Sequence, residues 1–239
     1  MKQLTAIEEI DKVTENVGIL LGELKPNSFG SLFLITLGKI IIFAVQGFKQ
    51  HLAIPGQAGE IDFSNTIRSS INRYLASNCL ICAEAGLVEY LKMHEISAIN
   101  GQELKNFKYS KALQEKKLPL TKEEVIWLKT FSPKRIKQPQ FYDLLDTALY
   151  HKKVSDRDKT EIRHFFDMVR IIRNKGSHLD ASLKSNEIEI LKPFLFESER
   201  KFQVQIKEKG GQYFFEVTFI FYHQLWIQLQ QFFNFLVEA

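Results

Sequence analysis

Apolar residues recur at helical spacing over residues 3–22, at Leu4, Ile7, Ile10, Val13, Val17 and Leu21, and predict a first helix. Lys25-Pro26-Asn27-Ser28 breaks it. A nearly uncharged stretch follows, Phe29 to Phe48, and then a loop, HLAIPGQAGEIDFSN, with Pro55, Gly56 and Gly59. Ser64 or Asn65 can cap a long helix to about Ile96, carrying Ile67, Ile71, Tyr74, Leu75, Leu80, Leu87, Val88 and Leu91. Residues 97–120 are polar without clear period and read as a loop or insertion. Thr121 and Glu124 have the spacing of a capping box, so a short helix with Val125, Ile126 and Leu128 starts there. SPKRIKQPQ reads as a basic linker, and Phe141 to about His151 as another helix. Ser155 and Asp158 resemble a second capping box, which opens the helix that runs into RIIRNKGSHLD, Arg170 to Asp180. Residues 179–196 look helical, with Leu183, Ile188, Ile190, Leu191 and Leu195.

The period then changes. KFQVQIK alternates Phe202, Val204 and Ile206 with polar residues, and YFFEVTFIF alternates Phe215, Val217, Phe219 and Phe221. Gly210-Gly211 lies between them, so the pair reads as a β-hairpin. A last helix spans roughly His223 to Val237. The expected fold class is mainly α, with a C-terminal β-hairpin and terminal helix appended.

Composition fits this: of 239 residues, 45% are hydrophobic and 25% charged, which is globular, and most of the 20 Phe are expected in a core. The net charge of +4 argues only weakly for a polyanionic partner. Its distribution says more. Pro133 to Lys175 holds eleven Lys/Arg against six Asp/Glu, so the excess sits in the segment that ends at RIIRNKGSHLD. The start alternates charge without an early apolar region, and two Cys make no disulfide framework, so a cytoplasmic protein is expected. Residues 29–48 meet the length of a membrane span, about 18 to 20 residues. The central Lys39, three Gly and the lack of a second span favour a buried helix pair or helix plus turn.

Around the helix that begins near Ser155, Ile162, Phe165, Phe166, Val169 and Ile172 fall on one face. Arg163, Asp167, Arg170, Asn174 and His178 form a narrow line opposite, if the helix persists through Gly176. Arg173 lies on the flank of the apolar stripe, where its stem can pack while the guanidinium reaches outward. Gly176 could instead end the helix and let Arg173 and His178 converge. RNA cleavage without a metal requires these residue types. A base must accept the proton of the 2′-hydroxyl and an acid must protonate the leaving 5′-oxygen; histidine titrates in the range for either. The phosphorane gathers negative charge that an arginine fork suits. Asn can donate to phosphate or orient the His. The plain alternative is a basic helix end with a surface Arg–Asp pair.

Arg173-Asn174-Lys175-Gly176-Ser177-His178 resembles the signature of the HEPN superfamily (higher eukaryotes and prokaryotes nucleotide-binding domains): Arg, a polar residue often Asn, three more residues, then His, at the end of an amphipathic helix. The preceding FFDMVRII is similar to the family's helix. The resemblance covers about Asn65 to Phe196 by helix layout and Glu161 to His178 by motif. It implies an HEPN-like helical bundle over 61–198; the helical extension, 1–60, expected to pack on it, and the hairpin and last helix at 199–239 lie outside the resemblance and come from the residue pattern alone. It further implies a homodimer that brings two motifs together, and a metal-independent endoribonuclease of toxin–antitoxin, abortive-infection or CRISPR-linked defence. Products would end in 2′,3′-cyclic phosphate. Carried over, Arg173 and His178 are the catalytic pair and Asn174 the polar helper. Arg163, Asp167, Arg170 and Lys175 are added here as substrate-binding candidates from the helix itself. No metal or cofactor is expected; the expected partners are RNA, a second copy, and an antitoxin or defence protein. One subgroup has Tyr two residues after the His, a target for nucleotide transfer; here that position is Asp180, so such regulation is not implied.

Other signals read as structural. Cys79 and Cys82 sit in an apolar helical run and are expected in the core. His94-Glu95 lacks the further His of a zinc helix, and His51, His151 and His223 have no partners visible in sequence. Tyr142, Trp127 and Trp226 are expected to pack rather than to stack bases. Two other readings stay open: a non-catalytic HEPN-like module that binds nucleic acid, nucleotide or protein, and membrane association through residues 29–48.

Overall fold

The computed structural model describes residues 5–52, 61–96, 113, 115–116, 119–130, 139–175, 182–195 and 202–238, with side chains for all but 61–66 and 127–130. The fold is mainly helical: eight α-helices and one two-stranded antiparallel sheet near the C-terminus, among the described residues. The helices are α1 (Ala6–Glu23), α2 (Ser31–Leu52), α3 (Ile61–Met93), α4 (Lys122–Thr130), α5 (Phe141–His151), α6 (Asp156–Lys175), α7 (Ser185–Leu191) and α8 (Ile220–Val237). The strands are β1 (Val204–Lys209) and β2 (Gln212–Val217). The chain groups into two compact units, one of residues 1–86 with 155–239 and one of 87–154.

In the first unit α1, α2 and α8 pack on one another. Thr5 caps α1 in a complete capping box with Glu8. Ile10, Val13 and Val17 of α1 and Leu34, Leu37, Ile41 and Val45 of α2 are all buried. Residues 29–48, expected as a helix pair or helix plus turn, are the second of these: a turn that leads into the single helix α2. Gly38 does not break that helix; it lets α1 approach, since a Cβ there would stand 2.8 Å from Leu21. Among the described residues α2 alone is long and apolar enough to cross a membrane, and 39% of its most apolar stretch is buried in this fold.

The α8 helix is the centre of the unit, with Phe221, Tyr222, Leu225, Trp226, Leu229, Phe233 and Leu236 all at most 1% exposed. Their polar atoms are satisfied. Trp226 Nε1 donates to Leu34 O at 2.8 Å and Tyr222 Oη donates to Asn72 Oδ1 at 2.5 Å. Trp226 is thus core, as its sequence context implied. So are both cysteines, free thiols 1% and 6% exposed; burial pushes Cys79 far up and Cys82 to about 11, which leaves neither a nucleophile at neutral pH.

His223 on α8 is half-buried, and burial and nearby Lys12 hold it below 6.5. The native state therefore resists a proton that the unfolded chain accepts. Its contribution to stability is complete above about pH 6.5, the unfolded value, and is lost as pH falls from there through the lower folded-state pKa. Urea midpoints at pH 8 and pH 5.5 should differ in that direction, and by less in His223→Gln.

The hairpin pairs Val204 with Val217 and Lys209 with Gln212. Gly210 and Gly211 have φ of 61° and 77°, the two left-handed positions that a two-residue turn of this hand requires. β2 ends sooner than the alternation suggested: Phe219 and Phe221 are buried at the start of α8, which begins at Ile220 rather than His223. The helix expected over 179–196 is shorter too, α7 followed by a 3₁₀ turn at Lys192–Phe194 with Pro193 in it.

The second unit holds the end of α3 with α4 and α5. Leu87, Tyr90, Leu91, Leu113, Leu144, Leu145, Ala148 and Leu149 form its core. The capping box of α4 is present: the Thr121 amide donates to the Glu124 carboxylate at 2.8 Å and the Glu124 amide to Thr121 Oγ1 at 3.3 Å. Of the expected 51–65 loop, 51–52 belong to α2 and 61–65 to α3, which therefore starts before Ser64; residues 53–60, most of the 97–120 segment, most of the basic linker and the Trp127 side chain lie outside the described residues.

Candidate functional site

The stretch RIIRNK closes α6, a 20-residue helix of the first unit. Ser155 starts it: the Asp158 amide donates to Ser155 Oγ at 3.1 Å and that hydroxyl donates back to the Asp158 carboxylate at 2.7 Å. Phe165, Phe166, Val169 and Ile172 are buried as their spacing required, and Met168 and Ile171 as well, so the apolar arc is wider than expected. Ile162 is half-buried. Phe166 packs edge-on against Phe232 of α8, ring centres 5.1 Å apart. This arc locks the rotation of α6 and so decides where the polar residues point.

Arg163, Arg170 and Asn174 are exposed and Asp167 half-buried, on the side away from the core. Arg170 Nη2 lies 3.2 Å from Asp167 Oδ1, one turn away. Such a surface pair is worth about 0–1 kcal/mol and exchanges readily for another anion. Arg173 is half-buried on the flank, and its Nε donates to Asn174 Oδ1 at 3.1 Å. That neutral acceptor orients the guanidinium without cancelling its charge. The last turn of a helix offers carbonyl oxygens and a partial negative charge, which repel phosphate. Anion binding here has to come from these side chains.

Lys175 is held by two partners. Its Nζ donates to Ser182 O at 2.8 Å and lies 3.2 Å from the Glu187 carboxylate, both ends of the ion pair less than a fifth exposed. The next residue, Leu183, is buried and its amide donates to Tyr213 O of β2 at 2.6 Å. Lys175 therefore joins the two flanks of the 176–181 segment, and the hairpin anchors the far flank. His178 falls in that segment, outside the described residues, as does Asp180. Sequence reasoning put Lys175 among the ligand-facing cations and missed Glu187, Ser182 and Tyr213. The partners lie 7 to 30 residues apart on three elements, and no periodicity links them.

Glu187→Gln should lower the unfolding free energy by about 1 kcal/mol, and Lys175→Met, which also removes the donor to Ser182 O, by about 2 kcal/mol. Urea denaturation checks both.

No family model matches the chain, and neither does any curated protein or solved structure.

Proposed function

We propose that this protein is a metal-independent endoribonuclease of HEPN type, acting in a toxin or antiviral defence role. The observation that carries the reading is the arrangement at the end of α6. Arg173 is set on the helix flank with its fork oriented by Asn174. Two residues further on, Lys175 ties down both sides of the short segment that contains His178.

In this reading RNA lies across the exposed end of α6, its phosphates drawn by Arg173 and by Arg170 and Arg163 on the outer line. The 2′-hydroxyl attacks the adjacent phosphorus, His178 moves the proton, and Arg173 stabilises the oxyanion. A second copy of the chain supplies a second Arg and His, so that one imidazole can serve as base and the other as acid. Lys175 holds the site together and does not touch RNA.

The deciding experiment is incubation of a labelled RNA pool with purified protein in excess EDTA. Fragments with 2′,3′-cyclic phosphate and 5′-hydroxyl ends are the expected result. Salt-sensitive RNA binding with no product, with or without divalent metal, would replace the reading by a non-catalytic nucleic-acid-binding module.

A further inference from the structure

Two histidines close on one another in the unit of residues 87–154, on elements that the α6 motif does not use. His94 directly follows the last residue of α3, and His151 is the last residue of α5. Both helices stop in the same way. The chain turns through a left-handed residue, Glu95 at φ 54° and Lys153 at φ 56°. At α3 the amides of Glu95 and Ile96 donate back to Lys92 and Leu91; at α5 those of Lys153 and Val154 donate back to Tyr150 and Leu149. This paired closure fixes the backbone under each imidazole.

The two ring centres are 4.9 Å apart. Two imidazoles on one tetrahedral Zn²⁺, with Zn–N bonds of about 2.0–2.1 Å, hold their ring centres about 5 Å apart. Tyr90, 1% exposed, lies beneath both, its ring centre 4.6 Å from that of His94. Tyr90 Oη is 2.9 Å from His151 Nδ1. That bond occupies one nitrogen of His151 and leaves Nε2 for a ligand. Metal-binding histidines are commonly held in this way through the second nitrogen, which sets tautomer and ring orientation. Both residues are exposed, so an ion can reach them. Each also sits at the C-terminal end of a helix, where the backbone's partial charge is negative and favours a cation.

We propose that His94 and His151 form a binding site for a borderline divalent metal ion of the Zn²⁺ class, with Tyr90 as the positioning residue. Imidazole donors select Zn²⁺, Ni²⁺ or Cu²⁺ over Mg²⁺ and Ca²⁺. With the ion on Nε2, His151 keeps its proton on Nδ1 and donates it to Tyr90 Oη. Among the described residues no group of three or more His, Cys, Asp or Glu gathers. The site is therefore open, its remaining positions taken by water or an outside donor. It stands apart from the ribonuclease reading, which needs no metal, and either can fail without the other.

The test is calorimetric titration of the untagged full chain, stripped with chelator, with Zn²⁺ and separately with Ni²⁺. One saturable site per chain is expected, lost in His94→Ala and in His151→Ala, with Mg²⁺ giving no heat. Circular dichroism should show both variants folded, since each position is exposed. Tyr90→Phe keeps the site and lowers its affinity about 10-fold. No saturable binding by the wild type, or binding that survives either histidine substitution, overturns the site. Unchanged affinity in Tyr90→Phe overturns the role given to Tyr90.

Discussion

On the proposed ribonuclease reading, replacing Arg173 with alanine is expected to slow metal-free RNA cleavage by about 10²–10³-fold, the usual cost of removing one oxyanion donor. Unfolding free energy should stay within about 1 kcal/mol of the wild type, because the side chain is half-buried and the helix is held by its apolar arc. The choice among three nearby cations rests on what each already touches. Lys175 is bound to Ser182 O and Glu187. Arg170 is paired with Asp167. Arg173 bonds a neutral oxygen, Asn174 Oδ1. Arg173→Lys keeps the charge and loses the planar fork, so it should recover only part of the rate. Arg170→Ala should mainly weaken RNA binding. His178→Ala should cost about 10²–10⁴-fold, as removal of a general acid or base does. A folded, fully active R173A protein would remove Arg173 from the mechanism, whatever His178 does.

Much of α6 was legible in the sequence because two independent signals agree on it. Ser155 marks its start through a side-chain cap, and apolar residues at 3.6-residue spacing mark the face that packs. The polar line opposite follows from the same geometry, so the exposure of Arg163, Arg170 and Asn174 was readable too. The hairpin turn was fixed by a local need, two adjacent positive-φ residues, which Gly-Gly meets. Errors came where burial is all-round. Phe219 and Phe221 satisfy a strand's alternation, yet a helix end buried on every side also permits it. Period alone cannot separate the two. The role of Gly38 was not readable from spacing either: its missing side chain makes room for Leu21 of the neighbouring helix. The Lys175 clamp and the Tyr90–His94–His151 cluster were invisible because they join residues that only the fold brings together.

Gly86→Ala is expected to destabilise the first unit by about 2 kcal/mol, although alanine is the better helix former. Gly86 lies inside α3, where the change to Ala favours the helix by about 1 kcal/mol. Against this, a Cβ at Gly86 would stand 2.3 Å from Phe233 Cε1 and 2.6 Å from its Cζ. The ring has little room to retreat. Its other edge meets Gly30, where a Cβ would stand 2.3 Å from Cδ2, and Phe29 packs edge-on at 5.7 Å. Phe233 is 0% exposed, so any shift moves core neighbours. Overpacking costs about 1–3 kcal/mol, and a Cβ placed this far inside contact with a hemmed-in ring takes the upper end, about 3 kcal/mol, which outweighs the gain in propensity. A double-mutant cycle makes the cause testable. Phe233→Leu alone leaves a gap and destabilises. In the Gly86→Ala background it should cost clearly less, because the smaller side chain makes room for the new methyl. Additive urea midpoints for the two substitutions would mean that the methyl is accommodated elsewhere, and that the close approach of α3 to Phe233 does not limit packing between α3 and α8.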